Sequence, residues 1–235
     1  MRSNADWLAR EDGVYVPTSG TIHTNSGHHN IAWELRGDPR FEYIHGDLND
    51  LVKELSAATQ SKAVISSEDF EYLVQYPEVI ARFEETLIRA GWSPTYIVLF
   101  RRQETYALSL YAELQKHGMM DSFGVFLSDI RRTGRYVMHK DWCFYFDYTE
   151  FARCWREAAC GSLRAYNYES AVNGFRIMQV FLGVLGISRN FEVNAKPIES
   201  LNVTPYHSLQ LIQVLNRLRI KWNFWWSNWN LFKRV

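Results

Sequence analysis

Residues 96–111 read Tyr96-Ile-Val-Leu-Phe-Arg-Arg-Gln-Glu-Thr-Tyr-Ala-Leu-Ser-Leu-Tyr111. The opening run is short, apolar, partly β-branched and bounded by Thr95 on one side and an arginine pair on the other, which is the pattern of a strand buried on both faces. Residues 103–117 then repeat Tyr106, Leu108, Leu110, Tyr111 and Leu114 and close at His117-Gly118, which predicts a helix. Arg101 therefore falls at the carboxyl end of a strand, where open parallel sheets place their ligands, and Ser109 lies in the helix that follows. A guanidinium presents a planar fork of donors matched to phosphate oxygens, and a hydroxyl one or two turns along can close on the same group. The alternative is a solvated arginine pair and an incidental serine.

Working outward, Lys62-Ala-Val-Ile-Ser66 reads as a second doubly buried strand, and Leu163-Arg-Ala-Tyr-Asn-Tyr168 reads as a strand without that burial being implied. Helices are predicted over 76–90, from Val79, Ile80, Phe83, Leu87 and Ile88, and over 148–159, 172–185 and 206–220, each with a Gly or Pro signal at an end. Strands alternating with helices predict an α/β domain with a mainly parallel sheet. No repeat, low-complexity tract or Pro/Gly/Ser linker divides the chain, so 1–235 reads as a single domain.

Composition narrows the function. With 26 basic and 26 acidic side chains the formal charge is zero, which argues against a nucleic-acid partner and makes any anion site local. Nine Trp, thirteen Tyr and fourteen Phe exclude a disordered chain. Cys143, Cys154 and Cys160 are odd in number and lack a CxxC pair, so neither a disulfide framework nor a structural zinc site is indicated and a reducing, cytoplasmic setting is expected. The first twenty residues hold no apolar leader, and no apolar run is long enough to span a bilayer.

The spacing of Arg101, Gln103, Ser109 and Tyr111 resembles the R-x-Q-x-x-x-x-x-S-x-Y pattern of the sulfotransferase family. Other segments are similar to bacterial members acting on carbohydrates, in the same order: Gly13-Val-Tyr-Val-Pro17, Ser19-Gly20, His28-His29-Asn30-Ile31-Ala32, Ile65-Ser-Ser-Glu-Asp-Phe70, Phe146-Asp-Tyr148, Trp155, Tyr166-Asn-Tyr-Glu169, Phe181-Leu-Gly-Val-Leu-Gly-Ile187 and Leu215-Asn216. The resemblance implies a three-layer, parallel-sheet fold of the P-loop nucleoside-phosphate class. It also implies transfer of a sulfuryl group from 3′-phosphoadenosine 5′-phosphosulfate, as co-substrate, to a hydroxyl of a carbohydrate or glycolipid, with Arg101 and Ser109 on the 3′-phosphate and no metal. A non-catalytic nucleotide- or carbohydrate-binding remnant, or a membrane-peripheral interaction domain, are the alternatives.

Such chemistry needs a base beside the acceptor hydroxyl. Glu68 is the first candidate, because it follows a strand in the turn that the family resemblance aims at the acceptor; the alternative is a helix-terminal carboxylate behind a Ser66 or Ser67 cap. His28 and His29, in a Ser/Thr/Asn-rich segment, form the second candidate, against a polar loop pair. His23, His45, His117, His139 and His207 have no supporting neighbours, and Tyr168 and Glu169 read as ordinary strand-end residues. The stretch 119–140 reads as a basic loop carrying Arg131, Arg132, Arg135 and Lys140.

The family's donor loop, a first strand followed by a Lys- or Arg-x-G-[ST]-[ST] turn, is not found in the sequence, whose start is similar to the helix after that turn. The expected fold is thus N-terminally truncated by at least about 15 residues, and weak or absent transfer is expected of this polypeptide. Residues 222–235, Trp-rich and flanked by Lys and Arg, are open to peripheral membrane contact, to packing on the domain, or to an oligomer interface.

Overall fold

The computed structural model describes residues 5–22, 27–139, 142–168 and 176–187. They form a mixed α/β protein with short strand pairs in open sheets, and they divide into two compact units, one from 5–100 with 147–187 and the other from 101–146. The expected helix over 206–220 and the segment 222–235 lie outside the described residues.

In the first unit α1 (Ala5–Glu11) leads through Gly13 into β1 (Val14–Tyr15), and α2 (His29–Arg36) and α3 (Leu48–Ala57) precede β2 (Lys62–Ala63). A 3-10 helix over Glu68–Gln75 and α4 (Pro77–Arg89) connect to β3 (Thr95–Phe100). Later α7 (Tyr148–Ala158), β6 (Ser162–Asn167) and α8 (Arg176–Val184) complete the unit. β1 pairs parallel with β2, Val14 opposite Lys62, and β3 pairs parallel with β6 from Thr95–Ser162 to Phe100–Asn167. Caps set several boundaries. Asp47 accepts from the Asp50 N–H while the Asp50 carboxylate accepts from that of Asp47, a reciprocal box that starts α3; Pro77 opens α4, and Asp147 accepts from Glu150 N–H to start α7.

The predicted strands occur, with corrections. The second covers Lys62–Ala63 rather than 62–66, extended by a bond from Val64 N–H to the Tyr15 carbonyl at 2.9 Å. Neither β3 nor β6 is buried on both faces: every residue of β3 keeps some exposure, and Arg164, Ala165 and Asn167 of β6 are exposed. Each is paired along one edge only among the described residues, so neither has the two flanking strands that shield an interior strand.

The unit's apolar packing includes a cluster of Leu8, Val14, Leu182 and Ile187 with Trp7, Val16, Val64 and Leu185, which fastens α1 and α8 to β1. A buried carboxylate holds another part together. Glu84 of α4 accepts from the backbone N–H of Cys160 at 2.6 Å and of Gly161 at 2.5 Å, tying the turn between α7 and β6 to α4. Gly161 is required there, since a Cβ would lie 2.6 Å from the Pro94 carbonyl and 2.7 Å from Glu84 Oε1.

The second unit corrects the reading of 119–140 as a loop. It holds α5 (Gln103–Lys116), α6 (Phe123–Thr133) and an antiparallel hairpin of β4 (Arg135–His139) and β5 (Trp142–Tyr145). Ser122 caps α6, Gly134 ends it in the left-handed conformation at φ 71°, and Phe126 is wholly buried among Tyr111, Phe123, Tyr136 and Phe146. Burial of these rings, worth on the order of 2–3 kcal/mol each, outweighs the basic composition that suggested a solvated loop. Among the described residues no helix is long and apolar enough to cross a membrane.

Candidate functional site

The first unit gathers its charged groups where α2 begins. His28 and His29 do not lie in an open polar loop: they are 2% and 7% exposed, and His29 is the first residue of α2. His28 is a fastener. Its backbone N–H donates to the Ser66 carbonyl at 2.6 Å, its Nδ1 accepts from Ser66 N–H at 3.1 Å, and its Nε2–H reaches the Pro17 carbonyl at 3.1 Å. Both ring nitrogens are thereby used to join the segments around Pro17 and Ser66, and neither is left to take a proton.

His29 is held differently. Its Nδ1 lies 2.6 Å from Asp69 Oδ2 and 3.0 Å from Ser67 Oγ, so the carboxylate, an acceptor only, requires the proton on Nδ1. Asp69 is also the residue whose N–H donates to the Ser67 hydroxyl, at 3.1 Å, so the 3-10 helix cap and the imidazole contact share one turn. Burial pushes the Asp69 carboxyl up, but the His29 hydrogen bond and the Arg40 charge outweigh it and hold the group below the usual carboxylate value.

Two arginines surround this pair. Arg40 donates to Asp69 Oδ1 at 3.3 Å and grips Asp38 through Nε at 2.9 Å and Nη2 at 2.8 Å, with its guanidinium 4.5 Å over the Trp33 ring. Arg36, its side chain 1% exposed, reaches Asp38 at 2.5 Å and stacks 4.6 Å over Tyr72. The Arg40 hydrogen bonds keep the Asp38 carboxyl below its ordinary value despite partial burial, while burial pushes the Tyr72 hydroxyl up. Two cations, Arg36 and Arg40, and two anions, Asp38 and Asp69, balance one another around the imidazole.

Asn30, fully buried, fixes the next segment against this cluster. Its Nδ2 donates to the Glu42 and Gly46 carbonyls at 2.9 and 2.8 Å, and its Oδ1 accepts from Glu42 N–H at 3.0 Å. The turn so held displays Tyr43 and Ile44, 79% and 83% exposed.

Glu68 is exposed and opens the 3-10 helix that Ser67 caps, the helix-terminal arrangement weighed against a base. The buried carboxylate beside a histidine is its neighbour Asp69, which the sequence reading passed over. The available signal was the serine cap: a cap at 67 turns the residue two positions on back toward it.

In the second unit Arg101 follows the last residue of β3 directly and α5 begins two residues later. Gln103 donates through Nε2 to the Phe146 carbonyl and Tyr111 through its hydroxyl to the Asp121 carbonyl at 3.1 Å, so two of the four patterned side chains brace the unit. The Ser109 hydroxyl forms no hydrogen bond among the described residues and is half-buried. It sits two turns, about 10 Å of helix rise, beyond the position that precedes α5.

Of the basic residues expected in a loop, Arg132 pairs with Asp129 at 2.6 Å, while Lys140 lies outside the described residues. Tyr168 is half-buried just past β6; Glu169, His23 and His207 lie outside the described residues. Cys143, Cys154 and Cys160 are unbridged, and no group of His, Cys, Asp and Glu among the described residues is placed to hold a metal ion. Comparison with protein-family models, with curated proteins and with solved structures found no match.

Proposed function

We propose that this chain is a sulfotransferase-like protein whose chemistry is transfer of a sulfuryl group from 3′-phosphoadenosine 5′-phosphosulfate to a hydroxyl of a carbohydrate or glycolipid. The observation that carries the reading is the strand–turn–helix over 95–116: Arg101 stands at the carboxyl end of a parallel strand and Ser109 two turns into the next helix, its hydroxyl without a hydrogen bond among the described residues. Arg101 and Ser109 take the 3′-phosphate of the donor in this reading. The parallel pairs β1–β2 and β3–β6 support the finer fold of this reading, a three-layer, parallel-sheet fold of the P-loop nucleoside-phosphate class.

In the transfer itself the acceptor oxygen bonds to sulfur while the bond from sulfur to the donor's 5′-phosphate oxygen breaks. The leaving adenosine 3′,5′-bisphosphate keeps that electron pair, and the hydroxyl proton passes to a base. Of Glu68, His28 and His29, only His29 combines burial, an orienting carboxylate and a ring nitrogen without a hydrogen bond among the described residues, so it is the first unit's candidate for that role. The second reading is nucleotide or carbohydrate binding without transfer.

Calorimetry with adenosine 3′,5′-bisphosphate tests the site. A charge-assisted phosphate contact is worth about 1.5–3 kcal/mol, so Arg101→Ala is expected to weaken binding about 10- to 100-fold and Ser109→Ala by less. Equal affinity in wild type and Arg101→Ala removes the nucleotide site from the proposal.

A further inference from the structure

We infer that His29 Nε2 is the proton-accepting atom of the first unit and that Asp69 and Gly27 are its positioning residues, Asp69 by fixing the tautomer and Gly27 by leaving room for the ring that packs against it. The inference rests on the transfer reading for the identity of the acceptor alone; the tautomer and placement of the ring stand without it.

Three observations combine. First, the Asp69 carboxylate at 2.6 Å places the proton on Nδ1, the opposite of the Nε2–H form that His28 adopts one residue earlier. Two adjacent histidines are thereby set in opposite tautomers, one with both nitrogens consumed and one with only Nδ1 engaged among the described residues. Second, His29 Nε2 makes no hydrogen bond among the described residues. Third, a Cβ at position 27 would fall 2.5 Å from His29 Nε2 and 2.8 Å from Cδ2. Gly27 has no left-handed φ, so its backbone does not call for glycine; the space it leaves over Nε2 does. The imidazole cannot swing aside without surrendering the Asp69 and Ser67 contacts.

When an acceptor hydroxyl gives its proton to Nε2, the resulting imidazolium retains its Nδ1–H on Asp69, whose negative charge stabilises it. Arg40 and Ser67 hold the carboxylate and the turn rather than the reacting atoms. Such an oriented base contributes about 10²–10⁴-fold to a transfer rate.

Two measurements read the ring without any turnover. Imidazole nitrogen NMR of the full chain is expected to show His29 with its proton on Nδ1 and Asp69→Asn to lose that preference. Diethyl pyrocarbonate, which acylates unprotonated imidazole nitrogen, is expected to modify His29 faster than His28 by tandem mass spectrometry, and Gly27→Ala, whose methyl displaces the ring, to change the His29 rate at least about 10-fold and weaken its Nδ1–H preference. An Nε2–H form of His29 in wild type, His28 reacting as fast as His29, or a Gly27→Ala rate equal to wild type would each overturn the inference. Turnover separates the two readings. With donor and a carbohydrate acceptor, Asp69→Asn and Gly27→Ala are expected to lower kcat about 100-fold with little change in donor KM. Transfer that proceeds at wild-type kcat in both variants sinks the positioning roles and leaves sulfuryl transfer standing. The two ring readouts as expected with no transfer under any condition keeps His29 as the proton acceptor and removes the sulfuryl donor.

Discussion

Replacing Asn30 by Asp changes two atoms' chemistry and almost no volume, and the consequence follows from three distances. In the native chain the amide donates to the Glu42 and Gly46 carbonyls at 2.9 and 2.8 Å and accepts from Glu42 N–H at 3.0 Å, with the side chain fully buried. A carboxylate keeps the acceptor but turns an oxygen toward two carbonyl oxygens. Two hydrogen bonds become repulsive contacts, and the two carbonyls lose their partner. At about 1 kcal/mol for each bond lost and about 1–3 kcal/mol for a buried group left unmet, the cost is at least about 3 kcal/mol. For a chain of this size that lowers Tm by about 6–12 °C. Asn30→Ala, which loses all three bonds but adds no charge, is expected to cost about 3 kcal/mol. Thermal unfolding followed by circular dichroism measures both, and limited proteolysis is expected to cut the 42–46 turn faster in each variant. A Tm within about 2 °C of wild type for Asn30→Asp would refute the view that this amide fastens the turn beside His29.

Other expectations follow from the same structure. Glu84→Gln leaves one oxygen for two backbone N–H groups, so one of the Cys160 and Gly161 donors faces an NH₂ group; the loss is expected to be about 2–3 kcal/mol in urea midpoint, and an unchanged midpoint would show that the buried carboxylate is dispensable. Gly161→Ala is expected to cost at least as much, because the new methyl meets the Pro94 carbonyl, which cannot rotate away as a side chain would. Asp38 and Asp69 both have carboxyls held below their ordinary value, chiefly by the Arg40 hydrogen bonds at Asp38 and by the His29 hydrogen bond against burial at Asp69. They bind protons more weakly in the folded chain, so the stability they supply is complete above the unfolded aspartate value of about 3.9 and is lost as pH falls through the depressed folded values. Urea titrations below about pH 4 are expected to show that loss in wild type and a shallower one in Asp69→Asn; equal slopes would remove Asp69 from the acid response.

The reading of secondary structure succeeded where local chemistry is decisive. The strand at 95–100, α4, α5 and α7 came within a residue or two, because apolar periodicity and the Gly or Pro stops act within a few positions along the chain. Short elements escaped. α2 is entered through His28 and begins with His29 and Asn30, poor helix formers whose places are set by Ser66, Pro17, Gly46 and Asp69, residues 11 to 40 positions away. The hairpin of β4 and β5 was hidden by Arg131, Arg132, Arg135 and Lys140 in the sequence in and around it, since partial burial against Phe126 and its aromatic neighbours is a tertiary fact.

The same division holds for the candidate site. From the sequence alone came the residue types, the order of the motifs, Arg101 at a strand end with Ser109 beyond it, and a histidine pair as one source of a base. Which histidine, which nitrogen and which carboxylate were decided only in three dimensions. His28 and His29 are chemically the same and adjacent; one meets a backbone N–H and a carbonyl, the other a carboxylate, and that difference sets their tautomers. Glu68 and Asp69 are likewise both acids at a helix start, and the path of the chain after the Ser67 cap sends one to solvent and the other to His29. Protonation state is a property of what a group faces. A sequence records the group, and the fold chooses what faces it.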